Sequence, residues 1–256
     1  MNRRRVGLAL EIACPLLVLA GLAVWSSGSQ SFYWPPVTEI LATFRDTWLF
    51  ERFGTDVVPS LYRLGAGYLL ACVVAIAAGI VLGSSARVSR AVEPIVEFLR
   101  AIPPPALIPF GLLIFGVGDG MKIAIIAFVC VWPVLLNTVD GIRSLDPTLL
   151  DTTRAYGIGG FERLRSVVLP GASPQIFAGM RTSLSLALIM MVVSELVAST
   201  NGIGYFVLQS QRTFAIPEMW AGIVLLGLLG YLLNVVFVVI ENRVLAWHRH
   251  ARAAAE

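Results

Sequence analysis

DTTRAYGIGGFERLRSVVLP, from Asp151 to Pro170, is a long polar and charged segment between two runs of residues apolar enough to cross a membrane. Asp146 and Pro147 just before it predict the start of a helix, because Asp caps helix N-termini and Pro fits the first turn. Gly157 predicts the end of that helix, since glycine adopts the left-handed backbone of helix C-termini. We therefore expect a short helix followed by a turn.

A second short helix is predicted after this turn. Its apolar residues recur at helical spacing, with charged residues between them. The apolar positions are Phe161, Leu164, Val167 and Val168, and the charged ones are Glu162, Arg163 and Arg165. Pro170 is expected to end this helix. A rigid helix–turn–helix with one apolar and one basic face is typical of a segment that another protein holds.

The segment resembles a motif in the permease subunits of ATP-binding-cassette importers: Glu-Ala-Ala, three residues, Gly, nine residues, Ile-x-Leu-Pro. Asp151-Thr152-Thr153, Gly157 and Val167-Val168-Leu169-Pro170 fall in that register without a gap. Asp replaces Glu, Thr-Thr replaces Ala-Ala and Val replaces Ile. The resemblance implies a coupling helix that sits in a cleft of the ATPase subunit; the alternative is an ordinary capped loop. The implied coupling residues are Asp151, Thr152, Thr153, Arg154, Tyr156, Gly157, Phe161, Arg163, Arg165, Leu169 and Pro170.

The composition is that of an integral membrane protein. Of the 256 residues, 57% are hydrophobic and 14% charged, whereas soluble domains average about 45–50% apolar and about 25% charged. The net charge of +3 does not indicate nucleic-acid binding, because the arginines gather at span ends. Cys14, Cys72 and Cys130 all lie inside apolar runs without metal-ligand spacing.

A single transmembrane domain, 1–256, is predicted, with six spans. Residues 6–25 form an N-terminal anchor helix rather than a signal peptide, since about 20 apolar residues span a bilayer and a signal h-region has about 7–15. Residues 35–52 form an external amphipathic segment, which lies on the membrane surface or packs on the bundle. Residues 57–247 form the core helices and contain the coupling segment, 146–170.

The third span, 93–117, is predicted to be broken at three consecutive prolines. In lipid the carbonyl groups freed by the prolines need partners in protein or water, so the break is expected to line a pathway. The sequence around the break also resembles the same region in importers of the sulfonate, taurine, nitrate and bicarbonate type; it reads RAIPPPALIPFGLLIFGVGDGMK.

No carboxylate is expected at mid-membrane depth, where proton-driven carriers place relay groups. The predicted pathway residues are Pro103, Pro104, Pro105, Ala106, Pro109, Ser183, Ser185, Ser194 and Glu195. For Glu195, satisfaction by a neighbouring helix is an equal alternative.

Small residues recur every fourth position along the second span, at Ala71, Ala75, Gly79 and Gly83. Such a stripe lets another helix approach closely. The sequence leaves open whether that helix belongs to this chain or to a second subunit.

The turn after the fifth span contains Asn201, Gly202, Ile203 and Gly204. The resemblance implies an outer gate at Asn201, Gly202 and Gly204 that faces the solute-binding protein. Tyr205, Phe206 and Gln209 would then present an aromatic and polar edge to that protein. A plain tight turn is the alternative.

No catalytic or metal-binding arrangement is found in the sequence. The only lysine, Lys122, is not part of a GxxxxGK[ST] loop, so the chain has no P-loop. The only histidines, His248 and His250, lie in a basic tail, where we favour a solvated tail over a metal site. The chain is therefore not expected to be an enzyme; ATP and Mg would be bound by a partner subunit.

The positive-inside rule orients the spans. Twelve arginines fall on one side, and three arginines and a lysine on the other, which predicts that both termini and the coupling segment are cytoplasmic. The resemblance implies an all-α type I (MetI-like) fold in the bacterial inner membrane. It also implies two ATPase copies, a second permease copy, and a periplasmic or lipoprotein solute-binding protein. The transported solute would be a sulfonate, taurine, nitrate or a similar anion. A thiamine-pyrimidine precursor is an alternative solute, and an ATP-independent transporter or a membrane-anchored assembly protein is an alternative function.

Overall fold

The computed structural model describes residues 17, 21, 24–26, 28 and 31–247, apart from the side chain of Phe50. Most of the predicted anchor helix 6–25, and the tail with His248 and His250, lie outside these residues. The described part is helical and contains no strand. Its helices are α1 Val37–Arg45, α2 Val58–Ser84, α3 Ala86–Ala101, α4 Ile108–Phe115, α5 Asp119–Arg143, α6 Pro147–Ala155, α7 Gly160–Arg163, α8 Leu169–Ala198, α9 Ile203–Arg212 and α10 Ile216–Val244.

Among the residues that the structure describes, four helical stretches are long and apolar enough to cross a membrane. They are Phe53–Ser84, Asp119–Arg143, Gly160–Ala198 and Ile216–Val244. A fifth candidate combines α3 with the stretch Pro104–Phe115, and the two parts meet at an angle of 88°. The predicted break in the third span is thus present, as a short 3₁₀ turn at Pro104–Leu107.

The core lies where α2, α5 and α8 pack against one another. The small-residue stripe of α2 faces α5 of the same chain: Ala71 and Ala75 are fully buried. A β-carbon at Gly79 would lie 2.6 Å from the side chain of Thr138, and one at Gly83 would lie 2.9 Å from Ile142. The stripe therefore serves close packing within the subunit, which settles the choice that the sequence left open.

The external segment packs on the bundle. Its regular helix α1 ends at Arg45, and π-helical turns follow at Asp46–Glu51 and Phe53–Val57. Trp48 is 1% exposed and donates its indole N–H to the carbonyl of Ala221 on α10, at 3.2 Å. A surface-lying helix would leave this ring in the membrane interface, so the packed alternative is the observed one.

Candidate functional sites at the two ends of the spans

The coupling segment begins and turns as its sequence predicts. The carboxylate of Asp146 accepts a hydrogen bond from the backbone N–H of Thr148 at 2.8 Å, and Pro147 occupies the first turn of α6. At the other end, the N–H of Gly157 bonds the carbonyl of Arg154 at 3.0 Å, with φ +69° at the glycine. The left-handed glycine reverses the chain direction between α6 and α7.

The second half of the segment differs from the prediction, because it is continuous with a span. Only Gly160–Arg163 is α-helical; a π-helical turn at Leu164–Val168 then runs directly into α8. Pro170 therefore lies in the first turn of α8 and does not end a separate helix. Proline is compatible with that position because first-turn N–H groups need no partner within the helix. If this segment moves, α8 therefore moves with it.

Apolar side chains attach the segment to one end of the spans, called the inner end below after the orientation that the arginine distribution predicts. Val168 packs in a cluster with Ile142 of α5, and with Ala172 and Ile176 of α8. Leu150 of α6 and Leu164 pack against the same cluster. These contacts join α6 and the turn Leu164–Val168 to the same ends of α5 and α8.

The opposite side of the segment is open. Tyr156 is 81% exposed and Phe161 is 78% exposed. The prediction that Phe161, Leu164 and Val168 share one apolar face is therefore wrong, because Leu164 and Val168 pack inside whereas Phe161 is exposed. The π-helical turn after Arg163 breaks the 3.6-residue period on which the prediction depended. Exposed aromatic rings outside the spans are typical of a protein–protein contact.

The segment also exposes charged groups. Asp151 and Arg154 pair on the exposed surface of α6 at 2.8 Å, and Arg165 is exposed. Thr152 is exposed, whereas Thr153 is 4% exposed and donates to the carbonyl of Leu150 at 2.7 Å. Of the predicted coupling residues, Thr153 is thus turned into the protein; Arg163, Leu169 and Pro170 are half-buried.

At the outer ends of the spans, Glu195 is the centre of a buried polar cluster. Its side chain is fully buried, and its carboxylate accepts hydrogen bonds from three groups. Ser60 donates at 2.8 and 2.9 Å, Arg63 at 2.7 Å and the N–H of Gly204 at 3.0 Å. Glu195 is thus satisfied by neighbouring elements, one of the two alternatives that the sequence allowed.

Arg63 connects this carboxylate to two further elements. The guanidinium Nε donates to Asp119, at the start of α5, at 2.7 Å. Nη1 also donates to the carbonyl of Asn201 at 3.1 Å, and Nη2 donates to the Asn201 side chain. One buried arginine therefore ties α2, α5, α8 and the turn after α8 together.

The glycine turn fits against the same carboxylate. A β-carbon at Gly202, where φ is +112°, would lie 2.5 Å from the Glu195 carboxylate, and one at Gly204 would lie 2.7 Å from the carbonyl of Val192. The N–H of Gly202 donates to Asp56 at 2.7 Å, and that of Ile203 to Ser60 at 3.0 Å. Glycine is required here by contact with the cluster as well as by conformation.

Not all residues assigned to the outer edge lie there. Phe206 is 6% exposed and packs against Trp48 with ring centroids 4.7 Å apart, so it belongs to the core. Tyr205 is half-buried and Gln209 is exposed. The amphipathic character of α9, which turns Phe206 inward, explains the difference.

The predicted pathway residues divide into an exposed and a buried group. Pro103, Pro105, Ala106, Pro109 and Ser185 are exposed, and Pro104 is half-buried. Ser183 and Ser194 are fully buried. Ser183 donates to the carbonyl of Cys130 at 2.8 Å, and Ser194 to that of Met191 at 2.9 Å. Ser183 thus bonds to α5, whereas Ser194 bonds within α8; both are 0% exposed, so a solute could reach them only if the helices separated.

Asp56, Ser60, Arg63 and Asp119 were not predicted to form a site. Arg63 and Glu195 carry opposite charges near the outer ends of two spans, and that pattern in the sequence could have paired them. Asp56, Ser60 and Asp119 carry no such signal, because their role depends on how the helices pack.

Together, these features define a class of protein: an all-helical membrane subunit with a short helical segment, exposed on one side, attached to its spans. Residues 72–246 match the family described as "Binding-protein-dependent transport system inner membrane component". The chain belongs to this family and is a permease subunit of an ATP-binding-cassette importer.

Curated relatives cover most of the chain. It is 31% identical over 252 residues to the putative aliphatic sulfonates transport permease protein SsuC of Bacillus subtilis, covering 96% of this chain and 90% of that protein. It is 30% identical to the nitrate import permease protein NrtB of Leptolyngbya laminosa, covering 75% of this chain and 71% of that protein. It is 29% identical to the taurine transport system permease protein TauC of Escherichia coli, covering 80% and 73%.

A solved structure has the same fold. A chain of the MetNI methionine ABC transporter, in an inward-facing conformation, superimposes with a TM-score of 0.67 at 22% identity. The match covers 78% of this chain and 97% of that one. The predicted MetI-like fold is therefore confirmed.

Proposed function

We propose that this chain, paired with a second copy, forms the membrane pathway for a small oxyanion such as a sulfonate, taurine or nitrate. The relatives named for transport of these solutes support the choice of solute class. Two ATPase subunits would bind ATP and Mg inside, and a periplasmic or lipoprotein solute-binding protein would deliver the solute outside. The observation that carries the proposal is the coupling segment, which is anchored on one side and exposes Tyr156 and Phe161 on the other.

The proposed mechanism uses the continuity of the coupling segment with α8. Closure of the ATPase dimer would displace the segment at Tyr156 and Phe161. Because the segment from Gly160 runs into α8 without interruption, α8 would move with it. The outer end of α8 carries Glu195, which holds the turn at Gly202 and Gly204. A movement begun inside can therefore reach the outer gate formed by Asn201, Gly202 and Gly204 through a single helix.

The proposed orientation places both termini and the coupling segment in the cytoplasm of a bacterium, with the chain in its inner membrane. The arginines at the coupling segment support it, because basic residues are enriched in cytoplasmic loops. With this orientation the Glu195 cluster and the glycine turn face the side from which the solute-binding protein would deliver its solute.

The test is reconstitution with the partner ATPase and binding protein, whose genes we expect to neighbour this one. We expect uptake of ethanesulfonate, taurine or nitrate into proteoliposomes only with ATP and the binding protein. Uptake without ATP would indicate a secondary transporter, and uptake of a pyrimidine alone would replace the proposed solute class.

Replacing the exposed rings tests the coupling surface. Tyr156→Ala with Phe161→Ala should weaken retention of the ATPase subunit by roughly tenfold or more, since aromatic anchors carry much of the energy of an interface. The matched control is Tyr231→Ala, which removes a ring that is 67% exposed on the distant helix α10. Equal retention in the two variants would contradict the assigned docking surface.

A further inference from the structure

A cavity of about 500 Å³ lies against the broken span, near the middle of α5 and α8. One wall comes from the end of α3 and the start of the proline turn, and the other from the two long spans. The lining includes Glu97, Arg100, Pro104, Trp132 and Leu186. Trp132 is thirteen residues from the start of α5 and eleven from its end, so the cavity lies at mid-membrane depth. Glu97 is thus a carboxylate beside this cavity, four residues before the end of α3 and 52% exposed, unlike the buried relay groups that were not expected from the sequence.

The cavity contains an ion pair whose two side chains are about half exposed to solvent. Nη2 of Arg100 lies 2.7 Å from Glu97 Oε2, and Nε donates to the same oxygen at 2.9 Å. The two side chains are 44% and 52% exposed. The carboxylate occupies one edge of the guanidinium; within the described chain, no group accepts a hydrogen bond from Nη1. An arginine edge of this kind matches the oxygens of a planar or tetrahedral oxyanion.

Trp132 adds a second unused donor. Its Nε1 is the one buried side-chain nitrogen or oxygen in the described residues that has no hydrogen-bond partner. The ring packs edge-to-face on Phe128 with centroids 5.3 Å apart, which limits its freedom to turn. A buried N–H without an acceptor costs free energy, and in a native protein it needs an explanation. Trp132 also lines the cavity, and a ligand oxygen that displaces the groups covering Nε1 would supply the missing acceptor.

We propose that this cavity is a contact site for the transported oxyanion, with Arg100 Nη1 and the Trp132 indole N–H as its donors. The inference rests on the proposed function and adds residues to it. A lipid phosphate shares this chemistry, but its headgroup lies at the membrane surface and not at mid-depth. Glu97 keeps part of the arginine charge neutralised, so the anion binds weakly enough to leave, as conduction requires.

The first test measures the charge of the cavity with thiol reagents and needs no knowledge of the solute. Ala101 is exposed and lines the cavity. In the assembled complex, with the native cysteines replaced by alanine, Ala101→Cys is labelled with 2-sulfonatoethyl or 2-(trimethylammonio)ethyl methanethiosulfonate. We expect Arg100→Gln to lower the ratio of anionic to cationic labelling rates by about tenfold, and Arg100→Lys to restore it.

The control for labelling is Ala86→Cys, at the other end of α3, where Arg100→Gln should leave the ratio unchanged. Fifteen helical residues separate the two sites, about 22 Å. An unchanged ratio at Ala101→Cys, or a thiol there that neither reagent reaches in either nucleotide state, would overturn the proposal.

The second test removes the indole donor and keeps an aromatic ring. Trp132→Phe should raise the KM for the imported anion by about fivefold, the size expected for one hydrogen bond. Trp220→Phe is the matched control, because that indole N–H already bonds the carbonyl of Tyr33 at 3.1 Å, outside the cavity. The probes are ethanesulfonate, taurine and nitrate.

The results distinguish a failure of the proposed function from a failure of the proposed anion site. If the wild-type complex imports none of the three anions, the proposed function fails. If it imports one of them and both Trp132→Phe and Arg100→Gln leave its KM unchanged, the function stands and the site is wrong. A KM increase in both variants, absent in Trp220→Phe, supports the site.

Discussion

The inner and outer ends of the spans present charge and aromatic groups in opposite ways. At the inner end, Tyr156 and Phe161 are exposed, and the ion pair of Asp151 and Arg154 is in solvent. At the outer end, Glu195 and Arg63 are buried and fully engaged within the chain. The aromatic and charged groups at the inner end are thus free to bind another protein. Those of the outer cluster bind one another and hold four elements of this subunit together.

The difference predicts that substitutions inside should affect the assembly, and substitutions outside should affect the subunit itself. Exposed ion pairs contribute about 0–1 kcal/mol. Breaking a buried pair by removing one partner costs about 3–5 kcal/mol, because an unpaired charge is left in a low-dielectric environment.

Arg63→Met should have the largest effect. It leaves Glu195 buried without its cation and removes the link to Asp119, so we expect a destabilisation of about 3–5 kcal/mol. Thermal unfolding of the isolated subunit in detergent measures it. Arg63→Met combined with Glu195→Gln should be more stable than Arg63→Met alone. If both variants melt with the wild type, the outer cluster does not hold the fold, and the contrast between the two ends disappears.

Gly202→Ala should have the next largest effect. The new methyl group would meet the Glu195 carboxylate at 2.5 Å, at a φ that disfavours any β-carbon, for a cost of about 2–4 kcal/mol. Gly120→Ala is the control, since nothing lies within 4 Å of its β-carbon position in the first turn of α5. Transport per assembled complex is measured beside melting. A loss of transport in fully assembled complexes supports a gate; lost stability with normal turnover indicates a plain turn.

The sequence predicted features that depend on local chemistry. The cap at Asp146, the left-handed Gly157 and the break at Pro103–Pro105 follow from what each residue does to its own backbone. The family followed from the spacing of the coupling segment. Phe161 was misplaced because the period changes within the segment, at a π-helical turn that no single residue signals.

Features that join distant parts of the chain could not be predicted in this way. Ser60 and Glu195 are 135 residues apart, and Arg63 and Asp119 are 56 apart. Their pairing depends on the close approach of α2 to its neighbours. The stripe at Ala71 and Gly79 permits that approach, but it does not identify the partner helix. The cavity at Arg100 and Trp132 likewise depends on the direction of α3 after the break.

Gly157→Ala should have the smallest effect, and it tests the inner end alone. The structure leaves open space around the β-carbon position, so the restriction is the left-handed backbone alone. The expected cost is about 1–2 kcal/mol, local to the turn between α6 and α7. Because the turn presents Tyr156 and Phe161, we expect weaker stimulation of ATP hydrolysis by solute-loaded binding protein, while the melting temperature of the isolated subunit changes little.

Gly157→Glu adds a charge beside the rings and should abolish this stimulation of ATP hydrolysis. Gly159→Ala is the matched control, since its φ of −59° suits any residue and nothing lies near it. Normal coupled transport in Gly157→Glu would show that this turn does not contact the ATPase, and a large loss of subunit stability in Gly157→Ala would show that the inner end holds the fold as the outer end does.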